Sequence, residues 1–204
     1  MKLRQLITGI VLLGVLTVWT NGIFGQTEST REAFTIKDIR QQQMDAPTYS
    51  GASGQLGGRT ATLQQKWLKI EVQFESRPDW ADDVQVKYYV LMKYQAKDRI
   101  EEKMFVGDVT HINVAKGGQH FSAMFMSPNA LKRYGGGQAE VITARIFYNG
   151  AVVSTKTEAP GKTVKAGWWD EKTPNLGCLL SPQETPWAPV AGEHFEFIKP
   201  TARQ

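Results

Sequence analysis

The residues best able to do chemistry in this chain are three histidines, one cysteine and one short run of carboxylates, and their spacing limits what each can do. His111, His120 and His194 form no His-x-His or His-x-x-x-His pair, and there is no Cys-x-x-Cys. A zinc site normally leaves such a local trace, because neighbouring ligands must share one face of an element. Cys178 sits in Leu176-Gly177-Cys178-Leu179-Leu180, where no nearby cation would stabilise a thiolate. The odd thiol could join two chains, but beside Gly177 and Leu179-Leu180 the preferred reading is a small apolar residue, inert and buried. No Gly-x-Ser-x-Gly elbow is present, and Gly135-Gly136-Gly137 lacks the Lys-Ser/Thr that completes a phosphate loop. The acidic segment Asp79-Trp80-Ala81-Asp82-Asp83 offers oxygen ligands for calcium but matches no EF-hand spacing. Its default role is a solvated turn. No catalytic, cofactor-binding or metal-binding residue is assigned, and no cofactor is expected.

The aromatic residues offer more. Trp168 and Trp169 are adjacent between Gly167 and Asp170, and Trp187 lies in Thr185-Pro186-Trp187-Ala188-Pro189. These three form the candidate binding surface, as a stacking platform for sugar rings or as anchors in a protein interface. The competing expectation is that they cover the fold, since each buries a large apolar surface. On a strand, Trp168 and Trp169 would point to opposite faces.

The start of the chain says where it works. Lys2 and Arg4 precede the uncharged run Leu6–Trp19, and Thr20-Asn21-Gly22 leads on to Gly25. A basic start, a short apolar core and small polar residues make residues 1–25 a secretory signal. The rival is a retained anchor, since the apolar stretch approaches the roughly 20 residues that span a bilayer. The protein is therefore expected to be exported, whether periplasmic, outer-membrane-associated or secreted. Membrane contact is expected only through this segment if it is uncleaved.

The formal charge of +4 includes Lys2 and Arg4 and falls to +2 without them. No basic run appears, so nucleic acid is not an expected partner. A single cysteine allows no internal disulfide, and stability must come from apolar burial.

The elements that position these residues are strands. Residues 26–33 are a polar N-terminal segment, and Phe34–Ile39 alternates enough for one strand. Gln41-Gln42-Gln43 and Ser50–Gly58 read as a flexible connection spanning about 40–65. Leu68, Ile70, Val72 and Phe74 then alternate with Lys69, Glu71, Gln73 and Glu75, until Arg77-Pro78-Asp79 stops the strand. Val84, Val86, Tyr88, Val90, Met92 and Tyr94 repeat the pattern. Tyr89 and Leu91 make the second face partly apolar, which suits a central strand or one covered by another element. Met104–Val114 is strand-like, with Gly107 suggesting a bulge. Lys116-Gly117-Gly118 reads as a turn before Phe121–Met126.

Ser127-Pro128 caps one short helix ended by Gly135-Gly136-Gly137. Val141–Tyr148, Asn149-Gly150 and Ala151–Thr155 spell a β-hairpin, because Asn-Gly supplies the two positive φ angles of a type I′ turn. The last third is irregular, with Pro160, Pro174, Pro182, Pro186 and Pro189, and closes with a strand at His194–Ile198. The fold class is all-β: an antiparallel β-sandwich of immunoglobulin-like type with at most one short helix, forming a single domain over 34–204.

Several of these stretches together resemble a known group. Trp67–Phe74, the Asp83–Met92 strand with Lys87-Tyr88-Tyr89-Val90, the Trp168-Trp169 pair and Thr185-Pro186-Trp187 look like small exported proteins of Verrucomicrobia. The resemblance covers most of residues 34–198. It implies an immunoglobulin-like sandwich associated with pilus-like or outer-membrane protein clusters, and it assigns no functional residues. The chain lacks the N-terminal signal of a type IV pilin, so the implied pilus role is accessory.

The resulting expectation is an exported, non-enzymatic interaction or structural protein of the cell envelope with a protein partner. The alternative is a carbohydrate-binding module with a glycan on its tryptophans. A glycosidase with paired carboxylates ranks third, because the acids are scattered along the chain.

Overall fold

The computed structural model describes residues 33–47, 66–134 and 137–200. The leader at 1–25, the polar segment up to residue 32 and the Ser50–Gly58 stretch lie outside the described residues.

Two sheets pack face to face. The first has the order β1-β2-β5-β9, built from β1 (Phe34–Asp45), β2 (Lys66–Ala81), β5 (Val114–Met126) and β9 (Leu179–Leu180). The second runs β7-β6-β3-β4-β8, from β7 (Ala151–Glu158), β6 (Val141–Tyr148), β3 (Val84–Ala96), β4 (Arg99–His111) and β8 (Pro174–Asn175). All pairings are antiparallel except the short β4–β8 contact. This is the expected all-β sandwich. Its core is the two alternating faces read from the sequence: Leu68, Ile70, Val72 and Phe74 pack against Val84, Val86, Tyr88, Val90 and Met92. β3 is central in its sheet, and its apolar second face is covered, which accounts for Tyr89 and Leu91.

The hairpin forms as its sequence requires. Asn149 and Gly150 have φ of 51° and 75°, with Tyr148 opposite Ala151. The helix α1 (Pro128–Arg133) is also in place, its Ser127 side chain accepting the Ala130 amide at 3.3 Å.

Other expectations need correction. Gln41-Gln42-Gln43 is not flexible, because β1 continues to Asp45. Gln41 exchanges two hydrogen bonds with the backbone of Ala139, at 3.0 and 2.7 Å, and Gln43 donates to the Gly137 carbonyl. The two glutamines thus act as side-chain substitutes for a neighbouring strand. Arg77-Pro78-Asp79 does not stop β2. The ladder to β5 shifts register between Phe74 and Ser76 and again between Ser76 and Trp80, so Pro78 falls where its missing N–H costs nothing. Gly117 and Gly118 lie inside β5, and the true turn is Ile112-Asn113, with Asn113 at φ 57°.

Gly107 makes no bulge, since β3 and β4 pair in unbroken register. A Cβ there would lie 2.6 Å from Met124 Cε and 2.8 Å from Leu179 Cβ, so glycine is needed for close approach between the sheets. The strand expected at His194–Ile198 is instead a single helical turn, α2 (Ala191–His194), followed by one bridge between Ile198 and His111.

The last third forms a strap around the sandwich. It leaves β7, crosses the outer face of the second sheet, and adds β8 to β4 and β9 to β5. It then crosses the outer face of the first sheet and ends beside β4, where Lys199 N donates to Thr110 O at 2.8 Å.

Candidate functional site

The strap places the three tryptophans on opposite outer faces. Trp168 and Trp169 do not lie on a strand. They open a 3₁₀ turn, Trp168–Glu171, behind Gly167 at φ 76°, and both pack on the second sheet. Trp168 is buried, and its Nε1 donates to Thr143 Oγ1 at 2.9 Å. Trp169 is half-buried and stacks on Tyr89 with ring centroids 5.2 Å apart. Trp187 lies on the first sheet. It is 8% exposed, stacked on Phe125 at 4.8 Å and met edge-on by Trp67 at 5.5 Å. The three therefore form no common platform.

Trp187 instead builds one wall of a groove of about 490 Å³ on the outer face of the first sheet. Lys69, Glu71, Phe121 and Phe125 form the floor, and Arg40 and Met44 line the β1 side. Val190, Ala191, His194 and Phe195 complete the strap side. The construction follows from strand parity: residues 40 and 44 of β1, 69 and 71 of β2, and 121 and 125 of β5 all point away from the core. Lys69 and Glu71 pair at 2.8 Å, each side chain 20% exposed, so the floor is internally neutralised within an aromatic rim. Ser181 and Glu184 stabilise the approach to this wall through a capping box, the Glu184 carboxylate accepting the Ser181 amide at 2.8 Å.

Two of the histidines belong to a sealed polar cluster between the sheets. Tyr88 Oη lies 2.7 Å from Ser122 Oγ, and Ser122 Oγ lies 2.8 Å from His111 Nε2. His111 Nδ1 reaches the Glu196 carbonyl at 3.2 Å. A carbonyl can only accept, so Nδ1 carries the proton and Nε2 accepts from Ser122, which in turn accepts from Tyr88. Burial lowers the His111 pKa to about 4, and burial raises that of Tyr88 above the ordinary phenol range. Both groups are thus neutral at pH 7. His120 Nδ1 donates to the Glu196 carboxylate at 2.8 Å, and its ring faces Phe74. A Ser–His pair with no exposure has no route to substrate, so this cluster can fasten the strap to both sheets but cannot reach a reactant.

The remaining chemical candidates are dispersed. Asp82 accepts the Asn113 amide at 2.7 Å, Asp79 pairs with Lys116 at 3.3 Å, and Asp83 pairs with Lys199. Among the described residues no three His, Cys, Asp or Glu side chains converge as a metal site. Cys178 is a free thiol, partly buried against the main core between β8 and β9. His194 is exposed on the groove rim.

The sequence reading missed the groove floor and the Tyr88–Ser122–His111 chain. Ser122 shares its parity with Met124 and Met126, so it faces the core as a polar residue, and Phe121 and Phe125 take the opposite, outward parity. That alternation was the available signal.

Comparison with known proteins gives a fold and a family. No curated protein sequence matches the chain. A crystal structure of a protein from Akkermansia muciniphila superposes with a TM-score of 0.69 at 18% identity, covering 82% of this chain and 93% of that one. At that identity the likeness shows a shared fold, in an organism of the group to which the sequence motifs pointed. A family model matches residues 25–202, nearly the whole sequence, and the chain belongs to that family.

Proposed function

We propose that the protein is an exported, non-enzymatic binding component of the cell envelope, accessory to a pilus-like assembly, and that it holds a protein partner in the groove beside Trp187. The immunoglobulin-like reading goes with this proposal: β2–β3, β4–β5 and β5–β6 each step from one sheet to the other. The groove is the observation that carries the reading. It is an aromatic channel with a neutralised floor, and it fits a partner segment presenting one bulky apolar side chain between polar neighbours. Interfaces concentrate their energy in such aromatic pockets. The non-enzymatic reading draws support from the histidines, since one is spent inside the core, one on Glu196 and one on an exposed rim.

The test is photo-crosslinking in the producing cells, with the crosslinker placed in turn at Met44 and at His194. The expected result is the same envelope-protein adduct from both positions and none from Lys103 on the other sheet. Adducts from Lys103 alone, or none from the groove, would refute the reading. The carbohydrate alternative has less support at Trp168 and Trp187, whose faces are covered. Its remaining support is Trp169.

A further inference from the structure

The outer face of the second sheet carries an unbalanced charge arrangement that is independent of the groove. Lys87 on β3 and Arg145 on β6 are register partners and share that face, with side chains that start about 5 Å apart. Both are half-buried, so their repulsion is poorly screened. Among the described residues neither has a carboxylate within ion-pairing distance. Lys87 Nζ lies over the Tyr89 ring at 5.7 Å, and the Arg145 guanidinium lies over Phe147 at 5.2 Å and Trp169 at 5.4 Å. Ring faces attract cations but accept no ordinary hydrogen bonds.

The nearest acids by register and chain position are engaged elsewhere. Asp108, opposite Lys87 on β4, accepts the Gln85 amide at 2.9 Å. The Asp170 carboxylate turns back toward Gly167. Thr155, the other register partner of Arg145, brings no charge.

Two buried donors at this place have no acceptor: Arg145 Nε and Trp169 Nε1. A buried donor left unpaired destabilises the fold, and like charges on directly opposed strands add to that cost. Sheet stability does not explain the arrangement, because one acid at Thr155 would relieve it. An anionic ligand seated over Lys87 and Arg145 would compensate both charges together. Trp169, backed by Tyr89 and half-open to solvent, supplies a flat apolar surface beside them, which suits the C–H face of a sugar ring.

We infer that Lys87, Arg145 and Trp169 form a binding site for an acidic sugar, one bearing a carboxylate or a sulfate ester. The acid pairs with the guanidinium and ammonium, and the ring rests against Trp169. A neutral sugar leaves the cations unpaired, and a bare anion leaves the aromatic face uncovered. The acid provides the specificity and the ring contact adds affinity.

The test titrates the full-length protein with galactose 6-sulfate, a galacturonate trisaccharide, a galactose trisaccharide and sodium sulfate. Binding is followed by the NMR signals of Trp169 Nε1–H and Arg145 Nε–H. The expected result is that both acidic sugars shift both signals at millimolar concentration or below, about tenfold more tightly than either the neutral sugar or sulfate. Lys87→Gln, Arg145→Gln and Trp169→Ala should each weaken acidic-sugar binding by about tenfold. Without ligand, the two Gln variants should melt at the wild-type temperature or above it, which separates lost binding from lost folding. Sulfate binding as tightly as the acidic sugars would reduce the site to a bare anion site and overturn the inference. The absence of any shift at millimolar sugar would overturn it too, as would unchanged affinity in a folded Arg145→Gln variant.

Discussion

His111 Nε2 and Ser122 Oγ lie 2.8 Å apart inside the core, joining β4 of one sheet to β5 of the other. The bond has a direction, from Ser122 to an unprotonated imidazole nitrogen, because the other ring nitrogen must donate to the Glu196 carbonyl. A neutral, fully bonded histidine thus ties both sheets to the end of the strap. The titratable groups facing it are His120 from β5 and Glu196 from the strap.

This tie makes stability depend on pH. The His111 pKa is about 4 in the folded protein and ordinary in the unfolded chain, so the unfolded state binds the extra proton between those values. Stability from this residue is complete above about pH 6.5 and is lost as pH falls toward 4, for a total of about 3 kcal/mol. Urea unfolding of wild type and His111→Gln across that range checks this. The wild type should lose the additional stability on acidification, and the variant should lack that part of the slope.

Removing the middle of the chain should cost more than removing its end. Ser122→Ala leaves both the Tyr88 hydroxyl and His111 Nε2 buried without a partner, for a loss of about 2–4 kcal/mol. Tyr88→Phe removes one donor and should cost about 1–1.5 kcal/mol. The double variant should be less destabilised than the sum of the two, because the hydroxyl stranded by the first change is absent in the second. A double-mutant cycle by chemical denaturation measures the coupling.

Gly107 sets the gap through which β9 reaches β5. Gly107→Ala places a methyl against Met124 and Leu179 and should destabilise the fold by about 1–3 kcal/mol. Hydrogen exchange should show the excess opening first in Leu179–Leu180 and the strap beyond it. Met124→Ala in the same chain should recover part of the loss by making room.

Thr143 anchors the other half of the strap. Its hydroxyl accepts the Trp168 indole N–H and bonds Thr157 at 2.8 Å. Thr143→Val keeps the shape and strands the indole donor, at a cost of about 1–2 kcal/mol. The tryptophan side-chain N–H of residue 168 should exchange faster in the variant, with the β6–β7 amides little changed.

Residues that act through local geometry were legible in the sequence. Asn149-Gly150 specified its hairpin because only that turn chemistry tolerates two positive φ angles in succession. The alternation in β2 and β3 specified two inner faces because strand period admits no other burial. The apolar second face of β3 correctly announced a covering element, but nothing local said that Trp168 would supply it. The strap was illegible because it consists of two-residue strands and 3₁₀ turns, too short to show a period, held by distant partners such as Thr143, His111 and Phe125. Gln41 and Gln43 misled for a related reason. Their polar side chains signal a linker, yet here they bond the backbone near Gly137 across 94 to 98 residues of sequence. The groove rests on outward parity in three strands that are not neighbours in sequence, so its floor became visible only when β1, β2 and β5 were aligned.

The most direct test of the binding role is quantitative recovery of one envelope protein on the immobilised full-length protein. Three forms are compared: wild type, Met44→Glu with His194→Glu, and Lys87→Gln with Arg145→Gln. The wild type and the second-sheet variant should retain the partner equally, while charges on the two groove rims should reduce its recovery by about tenfold or more. Equal recovery on all three forms, with the groove variant melting normally, would contradict it.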